Sequence, residues 1–104
     1  MVNVSTTRYD TKTNDIATIA LSAPGYHKSW RIVKIICGYS SAPTGGLLTI
    51  TNASSVTYLK VPIGQGCTEI NLDGRFPPNS PVTITLAAGG AGIVNYLNVF
   101  AVGV

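Results

Sequence analysis

Apolar and polar residues alternate with a period of two along most of the chain, the signature of half-buried β-strands. Residues 16–23 (IATIALSA) place Ile19 and Leu21 on one face, with Ile16, Thr18 and Ala20 on the other. A helix is the rival reading there, because Ile16, Ile19 and Ala20 fit a helical spacing and Asp15 suits a cap. The segment is short and stops at Pro24-Gly25, which favours a strand. Residues 47–52 set Leu48 and Ile50 against Thr49 and Thr51. Residues 56–63 form the next strand, with Pro62 marking an edge or a break in pairing. Residues 67–72 alternate again, and 82–88 (VTITLAA) point Val82, Ile84 and Leu86 inward. Clusters of Gly, Pro, Asn and Ser separate these runs, at Ser40–Gly46, Gly64–Gly66, Asp73-Gly74 and Gly89–Gly92. Seven or eight short strands so punctuated predict an all-β, antiparallel β-sandwich of jelly-roll type. Residues 1–15 are polar and aperiodic, and predict an N-terminal arm or a short edge strand around 4–9; residues 16–104 form the single domain.

Two strands depart from alternation. In residues 30–39 (WRIVKIICGY) the even side carries Trp30, Ile32, Lys34 and Ile36, and the odd side Arg31, Val33, Ile35, Cys37 and Tyr39. Residues 93–104 carry Ile93, Leu97, Val99 and Ala101 on one side and Val94, Tyr96, Phe100 and Val102 on the other. A strand covered on one face should alternate. Both therefore predict a second cover, from another layer of this chain or from another subunit.

Composition supports a covered surface. Charged residues are 11% of 104, against roughly 25% in an average soluble domain, so the exposed face is one of hydroxyls and amides. The net charge is +3, and Lys28, Arg31 and Lys34 are the only basic cluster. Strand alternation directs Arg31 and Lys34 to opposite faces, so nucleic acid is not the expected partner. No apolar run reaches the roughly 20 residues that span a bilayer, and residues 1–10 lack the pattern of a signal peptide. Cys37 and Cys67 would pair only if their strands are neighbours; buried thiols are the commoner arrangement.

Candidate chemistry is sparse. Nothing orders a third group behind a Cys37–His27 pair, so no catalytic residue is assigned. Zinc wants about four Cys or His ligands, and the Asp10/Asp15 and Glu69/Asp73 pairs are thin sets for calcium; no metal or cofactor is expected. No helix or Lys-Ser/Thr follows residues 87–92, which excludes a phosphate cradle. Tyr26, Trp30 and Tyr39 offer an aromatic platform for sugar, though rings at strand ends more often anchor cores or interfaces.

The run SWRIVKIICGYSSAPTGGLLTI, then VTYLKVPI, then FPPNSPVTITLAAGGAGIVNYLNVFAV resembles small β-sandwich proteins of tailed-bacteriophage virions. The resemblance covers about residues 29–104 and is one of pattern. It implies a capsid cement or decoration protein, usually a trimer, or a tail or fibre component, assembled in the host cytoplasm. The expected partners are further copies of this chain and a major capsid protein, with Trp30, Arg31, Lys34, Tyr96 and Phe100 at the interface. Arg31 and Lys34 would meet acidic shell surface. No membrane partner is expected. The alternative is a carbohydrate-binding module of a tail, a fibre or a secreted protein.

Overall fold

The computed structural model describes residues 4–52, 56–72 and 75–104. They form eight strands: β1 (Val4–Thr13), β2 (Ala17–Leu21), β3 (Trp30–Tyr39), β4 (Leu47–Asn52), β5 (Thr57–Pro62), β6 (Gly66–Asn71), β7 (Val82–Leu86) and β8 (Val94–Gly103). The first sheet runs β1-β8-β3-β6 and the second β2-β7-β4-β5, with every pairing antiparallel. The chain is thus an all-β sandwich. Inward residues of both sheets share one core, with Ile32, Ile35, Leu97 and Val99 from the first and Ile19, Leu48, Ile50, Ile84 and Leu86 from the second.

The strict period of two in β2, β4 and β7 follows from cover on one side only. Ala17, Ile19 and Leu21 are buried while Thr18 and Ala20 are exposed. The strand reading of that segment therefore holds over its helical rival, because β7 supplies a ladder partner for each residue from Ala17 to Leu21.

Strand β3 corrects the two-faced reading of its sequence. Ile32 lies opposite Ala101 and Lys34 opposite Phe100, which leaves Val33 without a partner on β8. This β-bulge shifts the phase of the strand by one residue. Trp30 and Ile32 point inward before it, and Ile35, Cys37 and Tyr39 after it. Arg31, Lys34 and Ile36 consequently lie together on the outer side. Strand β8 has no such break. It buries Asn95, Leu97, Val99 and Ala101 and turns Val94, Tyr96, Asn98, Phe100 and Val102 outward.

Strand β1 pairs with β8 from Val4↔Gly103 to Thr13↔Val94, so this segment is an edge strand of its own sheet and is longer than its sequence suggests. Its even positions, Arg8, Asp10 and Lys12, lie beside the inward side of β8 yet are polar, which hides the period. Asp10 explains the choice. Its carboxylate accepts the backbone N–H of Thr18 at 2.9 Å and the Lys12 ammonium at 2.8 Å. It thereby caps a donor on β2, the edge strand of the other sheet. Buried Asn95 completes the join, accepting the Lys12 N–H and donating to the Asp15 carbonyl, both at 2.8 Å.

The two ends of β3 are plugged by aromatics. The Trp30 indole N–H donates to the Ser22 carbonyl at 2.7 Å. The Tyr39 hydroxyl donates to the Ala87 carbonyl at 2.6 Å, its ring packed so closely on Gly46 and Gly89 that a Cβ at either would collide with it. At Gly38 a Cβ would run into the Gly66 carbonyl of β6, so glycine is required there.

Candidate interaction face

The outer side of the first sheet is a grid whose rows follow from the register. From β1 across to β6 they read Thr7–Phe100–Lys34–Asn71, Tyr9–Asn98–Ile36–Glu69 and Thr11–Tyr96–Gly38–Cys67, and beyond Thr7–Phe100 comes the shorter row Val102–Arg31. Arg75 extends that shorter row through an isolated bridge to Arg31. The grid is mixed: Val94, Phe100, Val102 and Ile36 are half-buried, Tyr96 is 45% exposed and Tyr9 79% exposed, and polar Asn98, Thr7 and Thr11 lie among them. Within it, the Lys34 ammonium sits 4.9 Å from the centroid of the Phe100 ring and 3.7 Å from the Glu69 carboxylate. A cation over an aromatic face at such a site contributes about 0.5–1 kcal/mol, and the exposed ion pair adds little.

The outer side of the second sheet is different in kind. One row reads Thr18–Thr85–Thr49–Lys60 and the next Ala20–Thr83–Thr51–Thr57. Threonine hydroxyls keep that side wet, whereas the first sheet offers rings and branched aliphatics. The two outer faces therefore differ in composition.

Four of the five residues expected at an interface, Arg31, Lys34, Tyr96 and Phe100, share the first face. Trp30 does not: it is 8% exposed, with its only polar atom bound within the chain. The bulge brings Arg31 and Lys34 to one side, against the expectation that alternation separates them. Tyr9, Ile36 and Arg75 belong to the face and escaped sequence reasoning. The odd positions of β1 and the slip in apolar phase at Val33-Lys34 carried the signal for the first two. For Arg75, only the fold supplies one.

The aromatic platform is dispersed. Trp30 and Tyr39 are buried at opposite ends of β3, and exposed Tyr26 instead packs at a tilt of 56° on His27, ring centroids 3.9 Å apart. His27 occupies a left-handed turn with φ of 65° before β3, whereas Cys37 lies roughly 23 Å along that strand from Trp30. Burial pushes the Cys37 thiol up to about 11, with the neighbouring Cys67 adding to the shift. Cys37 and Cys67 are both free. They occupy adjacent strands one residue out of register, Gly38↔Cys67 and Cys37↔Thr68, so one thiol faces the core and the other faces out. Among the described residues no group of three His, Cys, Asp or Glu side chains is gathered that would hold a metal ion. The Lys12 ammonium, followed by the Thr18 N–H, lowers the Asp10 carboxyl below its ordinary value of 3.8. Burial raises the Tyr39 hydroxyl.

No protein-family model matches the chain, and no curated protein matches it.

Proposed function

We propose that this protein is a non-enzymatic structural protein of a virion: a self-associating sandwich, trimeric, that decorates or cements a phage capsid. The observation that carries this reading is the inequality of the two outer faces: one sets Tyr9, Tyr96, Phe100, Val102 and Ile36 among polar residues, and the other is mostly threonine. Exposed apolar patches of this kind in soluble proteins mark contact sites. Four strands about 4.8 Å apart and about 33 Å long make a face on the order of 600 Å². An interface of standard size takes roughly 800 Å² from each partner and a trimer uses two such patches on each chain, so this face supplies one of them at most.

Further support comes from the order of the strands. The first pairs with the eighth, the second with the seventh, the third with the sixth and the fourth with the fifth. This is a long antiparallel hairpin rolled into two layers, and we read it as a jelly roll, an architecture shared by viral capsid and lectin domains. The resemblance to phage β-sandwich proteins agrees with such a role, and the major capsid protein is then the second partner. The dispersal of Tyr26, Trp30 and Tyr39 removes the platform on which the carbohydrate reading stood.

Sedimentation velocity at micromolar concentration tests the proposal. The wild type is expected as a trimer. Tyr96→Glu, which would bury an unpaired carboxylate at about 3–5 kcal/mol, is expected to sediment as a folded monomer, at least about a hundredfold weaker in association. A monomeric wild type would refute self-association.

A further inference from the structure

An edge strand turns the backbone N–H and C=O of every second residue away from its one neighbour, ready to pair with a further strand. Three of the four edges in this sandwich carry a guard. On β1 the Thr11 N–H is held by the Asp10 carboxylate at 3.0 Å. Along the β2 edge the N–H groups of Ile16 and Thr18 are held by Asp15 at 2.8 Å and Asp10 at 2.9 Å. On β5 the register slips so that Tyr58 has no partner on β4, and Lys60 and Pro62 follow. A bulge, a lysine and a proline each discourage strand addition. Strand β6 has none of these, and its one charge, Glu69, is drawn back to Lys34. The Leu72 N–H donates to the Val33 carbonyl at 3.1 Å, and Ile70↔Ile35 and Thr68↔Cys37 continue that phase. The backbone groups of Cys67, Glu69 and Asn71 therefore point away from β3, and none of the described residues bonds them. The side of the sandwich they border is also apolar. Leu59, Val61, Ile70, Leu72 and Phe76, each only partly buried against the core, lie along β5, β6 and the segment after it. The opposite side is closed by Asp10 and Asn95.

We propose that two copies of this chain join antiparallel through β6, about a two-fold axis at Ile70, and so continue the first sheet across both. The occupant of the edge is a second copy because the strand complements itself. A two-fold axis that keeps both dry sides together must pass through a residue, since side chains alternate between faces. Passing through Glu69 would set two carboxylates directly opposite each other, which is destabilising. Passing through Cys67 or Thr68 would set Thr68 or Ile70 opposite Gly66, which offers no side chain. Passing through Asn71 would leave most of β6 unpaired. With the axis at Ile70, the dry side pairs Ile70 with Ile70 and Thr68 with Leu72. The wet side pairs each Glu69 carboxylate with an Asn71 amide, and these two residues exchange both backbone bonds on either side of the axis. The same contact covers Leu59 and Val61 at the open side. It uses a surface other than the outer face of the proposed trimer and is smaller than a standard interface, so it is weaker. Joined to that trimer, it links one trimer to the next.

The full chain, spin-labelled on exposed Cys67, is measured by double electron–electron resonance at rising concentration, as wild type and as Tyr96→Glu. In the proposed register Cys67 and its copy lie on either side of the axis, about 20 Å apart along the strands. A population at that separation is expected to grow with concentration in both proteins. Glu69→Pro removes an outward N–H without breaking a bond to β3, and should weaken the association at least about tenfold. Glu69→Gln keeps that N–H and should stay within about twofold. Circular dichroism identifies any loss that comes from unfolding of Glu69→Pro, and Asn71→Pro then takes its place. A peptide of residues 65–72 carrying Cys67→Ser should suppress the paired population, and a scrambled peptide should not. Equal suppression by the two would mean that the edge accepts any extended strand, and would overturn a second copy as its occupant. A separation of about 7 Å, which an axis at Thr68 requires, would overturn the register. Absence of the pair, or its survival in Glu69→Pro, would refute the edge contact and leave a trimeric wild type standing. A wild type that forms no trimer yet shows the pair would refute the outer face and leave the edge.

Discussion

Removing one residue tests the account of β3. In the sequence WRIVKIICGY the bulge residue Val33 interrupts an otherwise regular alternation. Deleting it leaves Trp30, Ile32, Ile35, Cys37 and Tyr39 on one side and Arg31, Lys34, Ile36 and Gly38 on the other. Ile32↔Ala101 and Lys34↔Phe100 become consecutive rungs of a plain ladder. The losses are small: Val33 is 38% exposed, and its carbonyl accepts one backbone bond, from Leu72 at 3.1 Å. That bond is worth about 1 kcal/mol net. With some loss of local twist, the deletion should cost about 1–2 kcal/mol, or roughly 5–10 °C in melting temperature. Deleting Ile36 instead slips the phase beyond it. Tyr39 then leaves the core, at about 3–5 kcal/mol, and arrives where only Gly38 fits beneath the Gly66 carbonyl. The total approaches the whole stability of a domain, about 5–15 kcal/mol, so this variant should not fold. Guanidinium titrations followed by fluorescence of Trp30, the single tryptophan, give both values. If the Val33 deletion unfolds the protein as thoroughly as the Ile36 deletion, the bulge is not what reconciles the strand with a one-sided core.

Two further outcomes follow from the polar groups. A thiol reagent should modify Cys67 alone in the native protein and both cysteines in denaturant, because Cys37 is buried and its pKa is raised to about 11; rapid modification of two thiols would contradict the inward placement of Cys37. The Asp10 carboxyl titrates lower folded than unfolded, so its stabilisation is present above the ordinary value of 3.8 and fades as pH falls through the folded value. Asp10→Asn should therefore cost about 1 kcal/mol at neutral pH, and the gap to wild type should close near pH 2; a gap of constant size in urea titrations at both pH values would show that the charge is irrelevant.

The strands were legible because most are covered on one side only. In Val82–Leu86 and Leu47–Asn52, threonine marks the wet face and branched aliphatics the dry one. The bounds of β3 were readable too, since a turn precedes it and a Ser-rich loop follows. Its facing was not, because an unpaired residue resets the parity and pattern reading assumes a constant period. The slip between Ile32 and Ile35 was visible, but it mimics a strand greasy on both sides. Strand β1 escaped for the opposite reason. Arg8, Asp10 and Lys12 sit where an apolar series would be expected, and Asp10 is there to bond Thr18 and Lys12. Lys34, Tyr96 and Phe100 could be named from the sequence as candidates, and the structure places them on one face. Their union with Arg75 and Tyr9 depends on pairings between segments far apart in the chain.

The first described strand and the last run side by side, Val4 against Gly103, and both reach the end of the sandwich that carries Arg31. A segment joined ahead of Val4 or after Gly103 thus emerges beside Arg31. The Gly89–Gly92 connector at the opposite end of β8 is the place to open the chain instead. A permutant that links Val4 to Gly103, which already lie side by side, and restarts among those glycines would hold its cargo at the far pole.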